Sequence, residues 1–65
     1  MEREEWAGKW HQIKGKIIQA WGELSGDEVD WINGRKEQLV GKLQEKYGYS
    51  REEAERQVEE FSRDL

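Results

Sequence analysis

At 65 residues, with 34% hydrophobic and 40% charged side chains, a net charge of −4, and no cysteine or proline, the chain has room for one domain around a small core. That length leaves no space for a catalytic domain joined to a cofactor domain. The missing cysteines exclude disulfides, thiolate zinc sites and a thiol nucleophile.

The first five residues, Met1-Glu2-Arg3-Glu4-Glu5, are acidic and lead into no apolar run, unlike a secretory signal. Uninterrupted apolar runs are as short as Ile17-Ile18, too short to cross a bilayer. A soluble cytoplasmic protein is the expectation. Trp6, Trp10, Ile13, Ile17, Trp21 and Leu24 follow at steps of 4, 3, 4, 4 and 3, the spacing of one helical face. Ser25-Gly26-Asp27-Glu28 predicts a new helix start through an S-x-x-E capping box. The short helix that follows carries Val29, Trp31 and Ile32 and ends at Asn33-Gly34, two residues that tolerate the left-handed conformation.

A third helix is predicted through Leu39, Val40, Leu43 and Tyr47 to Gly48, with Tyr49 placed to fold back onto its last turn. Ser50-Arg51-Glu52-Glu53 is a second capping box. It opens a helix with Ala54, Val58, Phe61 and Leu65 on one face and Arg51/Glu55, Glu52/Arg56, Arg56/Glu60 and Glu59/Arg63 as neighbours four apart. No stretch alternates with period two. The predicted fold class is all-α, with four helices.

An internal repeat organises these elements. Shifting the chain by 26 residues lays 8–22 onto 34–48, with Gly8/Gly34, Gln12/Gln38, Gly15/Gly41, Lys16/Lys42 and Gly22/Gly48 identical. Ile13/Leu39, Ile17/Leu43 and Trp21/Tyr47 are chemically close. Each half then meets its own serine cap and a second helix, so the chain reads as a duplication of one helical hairpin, about 4–33 and about 34–64. The seven-residue spacing of the glycines admits two readings. They could mark close backbone approach and helix ends or bends, or form a flat contact face; interior glycine costs about 1 kcal/mol relative to alanine.

Little in the chain points to catalysis. His11 is the sole histidine, one position off the apolar stripe, and Gly15 stands where a metal site would need its next ligand on the helix. Ser25, Ser50 and Ser62 lack a paired base, and the first two are accounted for as caps. No enzyme activity, metal or cofactor is expected, and a monomer is. The matched cations Lys9, Lys16, Arg35 and Lys42 could converge into a small basic patch able to meet a few phosphates. Net negative charge argues against nucleic acid as a partner. Trp31 and Ile32 are adjacent, so only one can point straight inward; Trp31 is the candidate exposed aromatic.

Trp10-x-x-x-Lys14-Gly15, Trp21-Gly22-x-Leu24-Ser25, Gly34, Gln38-Leu39-Val40-Gly41-Lys42-Leu43-Gln44 and Tyr47-Gly48-Tyr49 together resemble the CsbD-like family over about residues 7–61. The resemblance implies a small cytosolic bacterial protein of the general stress response with no assigned enzymatic activity. It also implies two crossed helical hairpins, similar to SAM-domain-like folds. Ser25-Gly26-Asp27-Glu28 stands where the family has a T-D-D-D-like acidic turn, and Trp6 and Trp31 are additional to its pattern. Two alternatives accompany this reading. One is a redesigned chain on the same backbone, well capped and laced with ion pairs, with no biological function of its own; the other is a weak nucleic-acid-binding module.

Overall fold

Where apolar residues recur at helical spacing the chain is helical, and left-handed Asn33 and Gly48 each stop a helix. The computed structural model describes residues 6–65, and no strand occurs among them. Its helices are α1 (Trp10–Ala20), α2 (Gly26–Ile32), α3 (Lys36–Tyr47) and α4 (Arg51–Arg63). Residues 6–8 are helical as well, separated from α1 by Lys9 at φ −113°, ψ 17°. The acidic start at residues 1–5, and with it the expected beginning of the first hairpin at residue 4, lies outside the described residues.

The stripe from Trp6 to Leu24 is therefore not one continuous helix, as its spacing suggested. Trp21 ends α1 at φ −131°, ψ 83°, its N–H donating to the Ile17 carbonyl at 2.8 Å. Leu24 reaches the core from the turn that follows, its N–H donating to the Trp21 carbonyl. Burial of Trp6, Trp21 and Leu24 survives the interruption because a turn can deliver a side chain to the same core.

At α2 the capping box forms in full. The Ser25 hydroxyl accepts from the Glu28 N–H at 3.2 Å, and the Glu28 carboxylate accepts from the Ser25 N–H at 2.9 Å. The helix ends at Asn33 (φ 50°) and Gly34 (φ 79°), both left-handed. Gly48 (φ 73°) ends α3 in the same way, and Tyr49 then stacks on Tyr47 with ring centroids 5.5 Å apart. The second capping box forms by half. Ser50 accepts from the Glu53 N–H at 3.1 Å, while the Glu53 carboxylate turns along α4 to bond Arg56 and Gln57.

The core combines Ile13 and Ile17 of α1, Val29 and Ile32 of α2, Leu39, Val40 and Leu43 of α3, and Ala54 and Val58 of α4 with Trp6, Trp21 and Leu24. No polar or charged residue is buried among the described residues. Each helix packs on the next in chain order, α1 on α2, α2 on α3 and α3 on α4. Rings join α4 to the first described residues and to the end of α1. Phe61 of α4 lies 6.1 Å from Trp6 and 5.0 Å from Trp21, centroid to centroid, and Trp10, half-buried, stacks on Trp6. Leu65, expected on the inner face of the last helix, is exposed beyond its end.

The glycines divide. Gly34 alone approaches another backbone, its α-carbon directed so that an added Cβ would meet the Ala7 Cα at 3.6 Å. Gly8, Gly15, Gly22 and Gly41 have open space where a side chain would go, so close backbone approach does not explain them.

Candidate functional site

The face formed by α2 and α3 gathers a cluster of hydrogen bonds, ion pairs and a ring contact outside the core. Val29 and Ile32 turn inward with no exposure, which by helical geometry carries Trp31 outward, where it is 55% exposed. Its position is held from behind. Gln38 of α3 donates its side-chain N–H to the carbonyl of Trp31 at 2.7 Å, an acceptor at the end of α2, and at 3.4 Å to that of Ile32, which also accepts from the Arg35 N–H at 3.0 Å.

Lys42 of α3 places its ammonium 5.0 Å from the Trp31 ring centroid, a cation–π arrangement. The same ammonium lies 3.1 Å from Glu45 and 3.8 Å from Glu28. Glu28 is the hub of this face. It accepts from the Ser25 N–H and pairs with Lys46 at 2.9 Å. The backbone bond from Ser25, followed by the bond from Lys46, lowers its carboxyl from 4.5 to about 2. Lys46 is raised in turn, chiefly by the Glu28 carboxylate. On the other flank of α2, Asp30 pairs with Lys14 of α1.

The four repeat-matched cations occupy different settings. Lys42 stands over Trp31, whereas Lys9 lines a separate hollow beside Trp6. Lys16 is exposed on α1, and Arg35 is exposed at the start of α3. A phosphate approaching Lys42 would have to compete with two carboxylates already beside it. His11 is exposed, and no group of three or more His, Cys, Asp or Glu able to hold a metal ion occurs among the described residues. No helix among them is long and apolar enough to cross a membrane.

Two features of this face escape sequence reasoning. Glu28 is foreseeable as a cap, but its bonds to Lys42 and Lys46 depend on how α3 crosses α2. Gln38 gives a faint signal as a repeat-matched polar residue one position before Leu39, without revealing that it closes the end of the preceding helix.

Comparison with known proteins places the pattern. The CsbD-like family profile matches residues 4–56. The chain is 47% identical over 58 residues to the UPF0337 protein YjbJ of Escherichia coli K12, covering 89% of this chain and 84% of that protein. It is 53% identical over 55 residues to the UPF0337 protein PA4738 of Pseudomonas aeruginosa, covering 85% of each. To the UPF0337 protein NE2439 of Nitrosomonas europaea it is 54% identical over 55 residues, 85% of this chain and 58% of the relative. No solved structure matches it.

Proposed function

Because this chain belongs to the CsbD-like family, we propose that it is a non-enzymatic, monomeric cytoplasmic protein of the stress response that works by recognising a macromolecular partner through its α2–α3 face. The observation that carries this reading is Trp31, a large aromatic side chain exposed on a helix whose backbone is locked by Gln38 and whose ring is held under Lys42. Tryptophan is the side chain most enriched among residues that dominate protein interfaces, and a pre-set ring loses little freedom on docking.

The arrangement proposed for the fold is two crossed helical hairpins, SAM-domain-like, related by duplication. Its support is the coincidence of α1 and α3 when the chain is shifted by 26 residues, which carries Trp10–Ala20 onto positions 36–46 against the observed Lys36–Tyr47. Family membership favours a natural stress protein over a redesigned chain or a nucleic-acid module.

The test is complementation. A bacterial strain deleted for its CsbD-like gene is challenged by heat, acid, salt and starvation, then supplied with the wild-type chain or with Trp31→Ala. Wild type is expected to restore survival and Trp31→Ala to fail at an unchanged unfolding midpoint. Full rescue by Trp31→Ala overturns recognition through this face, and the absence of any survival defect in the deletion strain overturns the stress role. Low-salt DNA binding that is lost in a Lys16→Glu, Lys42→Glu double variant would instead favour the nucleic-acid reading.

A further inference from the structure

The outward positions of α2 follow from its inward ones. With Val29 and Ile32 in the core, helical geometry puts Asp27 and Trp31 together on the opposite face, one turn apart, with Asp30 next to them. All three are exposed. A long helical side chain leans toward the start of its helix, so the Trp31 ring lies over the turn that carries Asp27 and Glu28. Lys42 fits that placement, since the ammonium that meets the ring also reaches Glu28. Arg35 lies past the end of α2, on the side away from which the ring leans.

Most charges on this face are already matched within the molecule. Glu28 takes the Ser25 N–H, Lys42 and Lys46, Lys42 takes Glu45 as well, and Asp30 is paired with Lys14. Asp27 is the exception, with no hydrogen bond or ion pair among the described residues. The Trp31 ring is half engaged in the same sense. A single ammonium lies on one of its two sides, no other ring or cation among the described residues meets it, and the residue keeps 55% of its surface exposed. An open aromatic side and an unmatched carboxylate therefore stand together, in a stretch, 25–33, that holds three carboxylates and no cation.

Resting on the reading that this face recognises a macromolecule, we propose that the partner is an arginine-rich protein segment. One guanidinium of that segment stacks on the open side of Trp31 and donates to the Asp27 carboxylate. Indole is the strongest cation–π acceptor among the side chains. A guanidinium is planar and weakly hydrated, so its flat side can rest on the ring while its edge N–H groups meet a carboxylate. An ammonium is compact and strongly hydrated and does these two things less well together. Charge sets the class of partner. Phosphates of a nucleic acid or an anionic membrane would meet an unmatched carboxylate beside the ring, whereas a basic segment is drawn to a chain of net charge −4.

Two-dimensional amide NMR of the full chain tests this, with capped oligo-arginine, oligo-lysine and oligo-glutamate peptides of equal length titrated at low salt. Oligo-arginine is expected to shift the Trp31 indole and the Asp27 amide saturably, with Kd of about 0.1–1 mM, and to bind about threefold tighter than oligo-lysine. Trp31→Ala should remove that preference, Trp31→Phe should keep part of it, and Asp27→Asn should weaken oligo-arginine about fivefold. The Trp6 and Trp21 indole signals, both from the core, should hold their positions in all three variants. Equal binding of the arginine and lysine peptides, or shifts that begin at exposed Glu52 and Glu59 of α4, would reduce the attraction to net charge and overturn the proposal. So would binding of oligo-glutamate, or Trp31 shifts that follow protein concentration alone and mark a second copy. Complementation separates this proposal from the reading beneath it. Failure of Trp31→Ala with full rescue by Asp27→Asn keeps recognition through the face and overturns the arginine partner, whereas full rescue by both overturns the recognition itself.

Discussion

Segments 8–22 and 34–48 share five identical residues, yet the structure uses their ends differently. Their middles correspond. Ile13 and Ile17 are buried as Leu39 and Leu43 are, and α1 and α3 begin at matching positions behind matching basic residues, Lys9 and Arg35, neither of which caps through its side chain. Their ends diverge. Gly34 is buried and left-handed against Ala7, while its counterpart Gly8 is helical with open space around it. Gly48 closes α3 at positive φ, whereas α1 has already ended at Trp21 before Gly22 is reached. Trp21 is buried, and Tyr47 at the matching place is half-buried, its hydroxyl accepting from the Glu23 N–H at 3.2 Å. Shared apolar spacing thus governs which helical face is inside, and the surroundings of each end decide what the glycine there does.

Truncating the matched core positions should give the largest effects. Ile17→Ala and Leu43→Ala, both fully buried, are each expected to cost about 2–5 kcal/mol in urea unfolding. A chain of this length has total stability of about 3–10 kcal/mol, so Ile17→Val, at about 0.5–1.5 kcal/mol, keeps the comparison measurable if the alanine variants do not fold. Costs differing several-fold between the two halves would break the equivalence of their middles.

The glycine ends should separate by sign. Gly34→Ala forces a side chain into left-handed backbone and is expected to destabilise by about 1–2 kcal/mol. Gly15→Ala and Gly41→Ala enter open space within helices and are expected to stabilise by about 0.5–1 kcal/mol each. Thermal unfolding midpoints read both. A stabilising Gly34→Ala would refute the assigned backbone conformation.

The serine caps come next. Ser25→Ala and Ser50→Ala should each lose about 1 kcal/mol. The reciprocal pairing at Ser25 makes the Glu28 carboxylate depend on its neighbour in a way that Glu53, turned toward Arg56 and Gln57, does not. A double-mutant cycle should therefore show coupling between residues 25 and 28 and much weaker coupling between 50 and 53.

The smallest effect is in pH dependence. Because the Glu28 carboxyl is lowered from 4.5 to about 2 in the folded chain, its stabilisation is complete above the unfolded value. It is lost as pH falls through the interval between the two. Midpoints followed from pH 6 downward should fall less steeply for Glu28→Gln than for wild type in that window. Lys46, raised by the same pair, should lose its share at the alkaline end instead, as pH rises through its folded value. Parallel curves for wild type and Glu28→Gln would show that the Glu28 bonds do not persist in solution.

The sequence by itself determined the helical class, nearly every core residue, both serine caps, the left-handed stops at Asn33-Gly34 and Gly48, and the exposure of Trp31 beside buried Ile32. These follow from local rules: a helical period selects one face, an N-cap serine is recognised within four residues, and left-handed backbone selects glycine or asparagine. Tertiary structure decided the rest. Only the packing of α3 on α2 brings Lys42 and Lys46 to Glu28 and Gln38 to the end of α2. Only the packing of α4 against the first described residues sets Phe61 between Trp6 and Trp21. Such contacts join residues 6 to more than 50 positions apart. Helical periodicity says which way a side chain faces, but not which distant side chain it will meet.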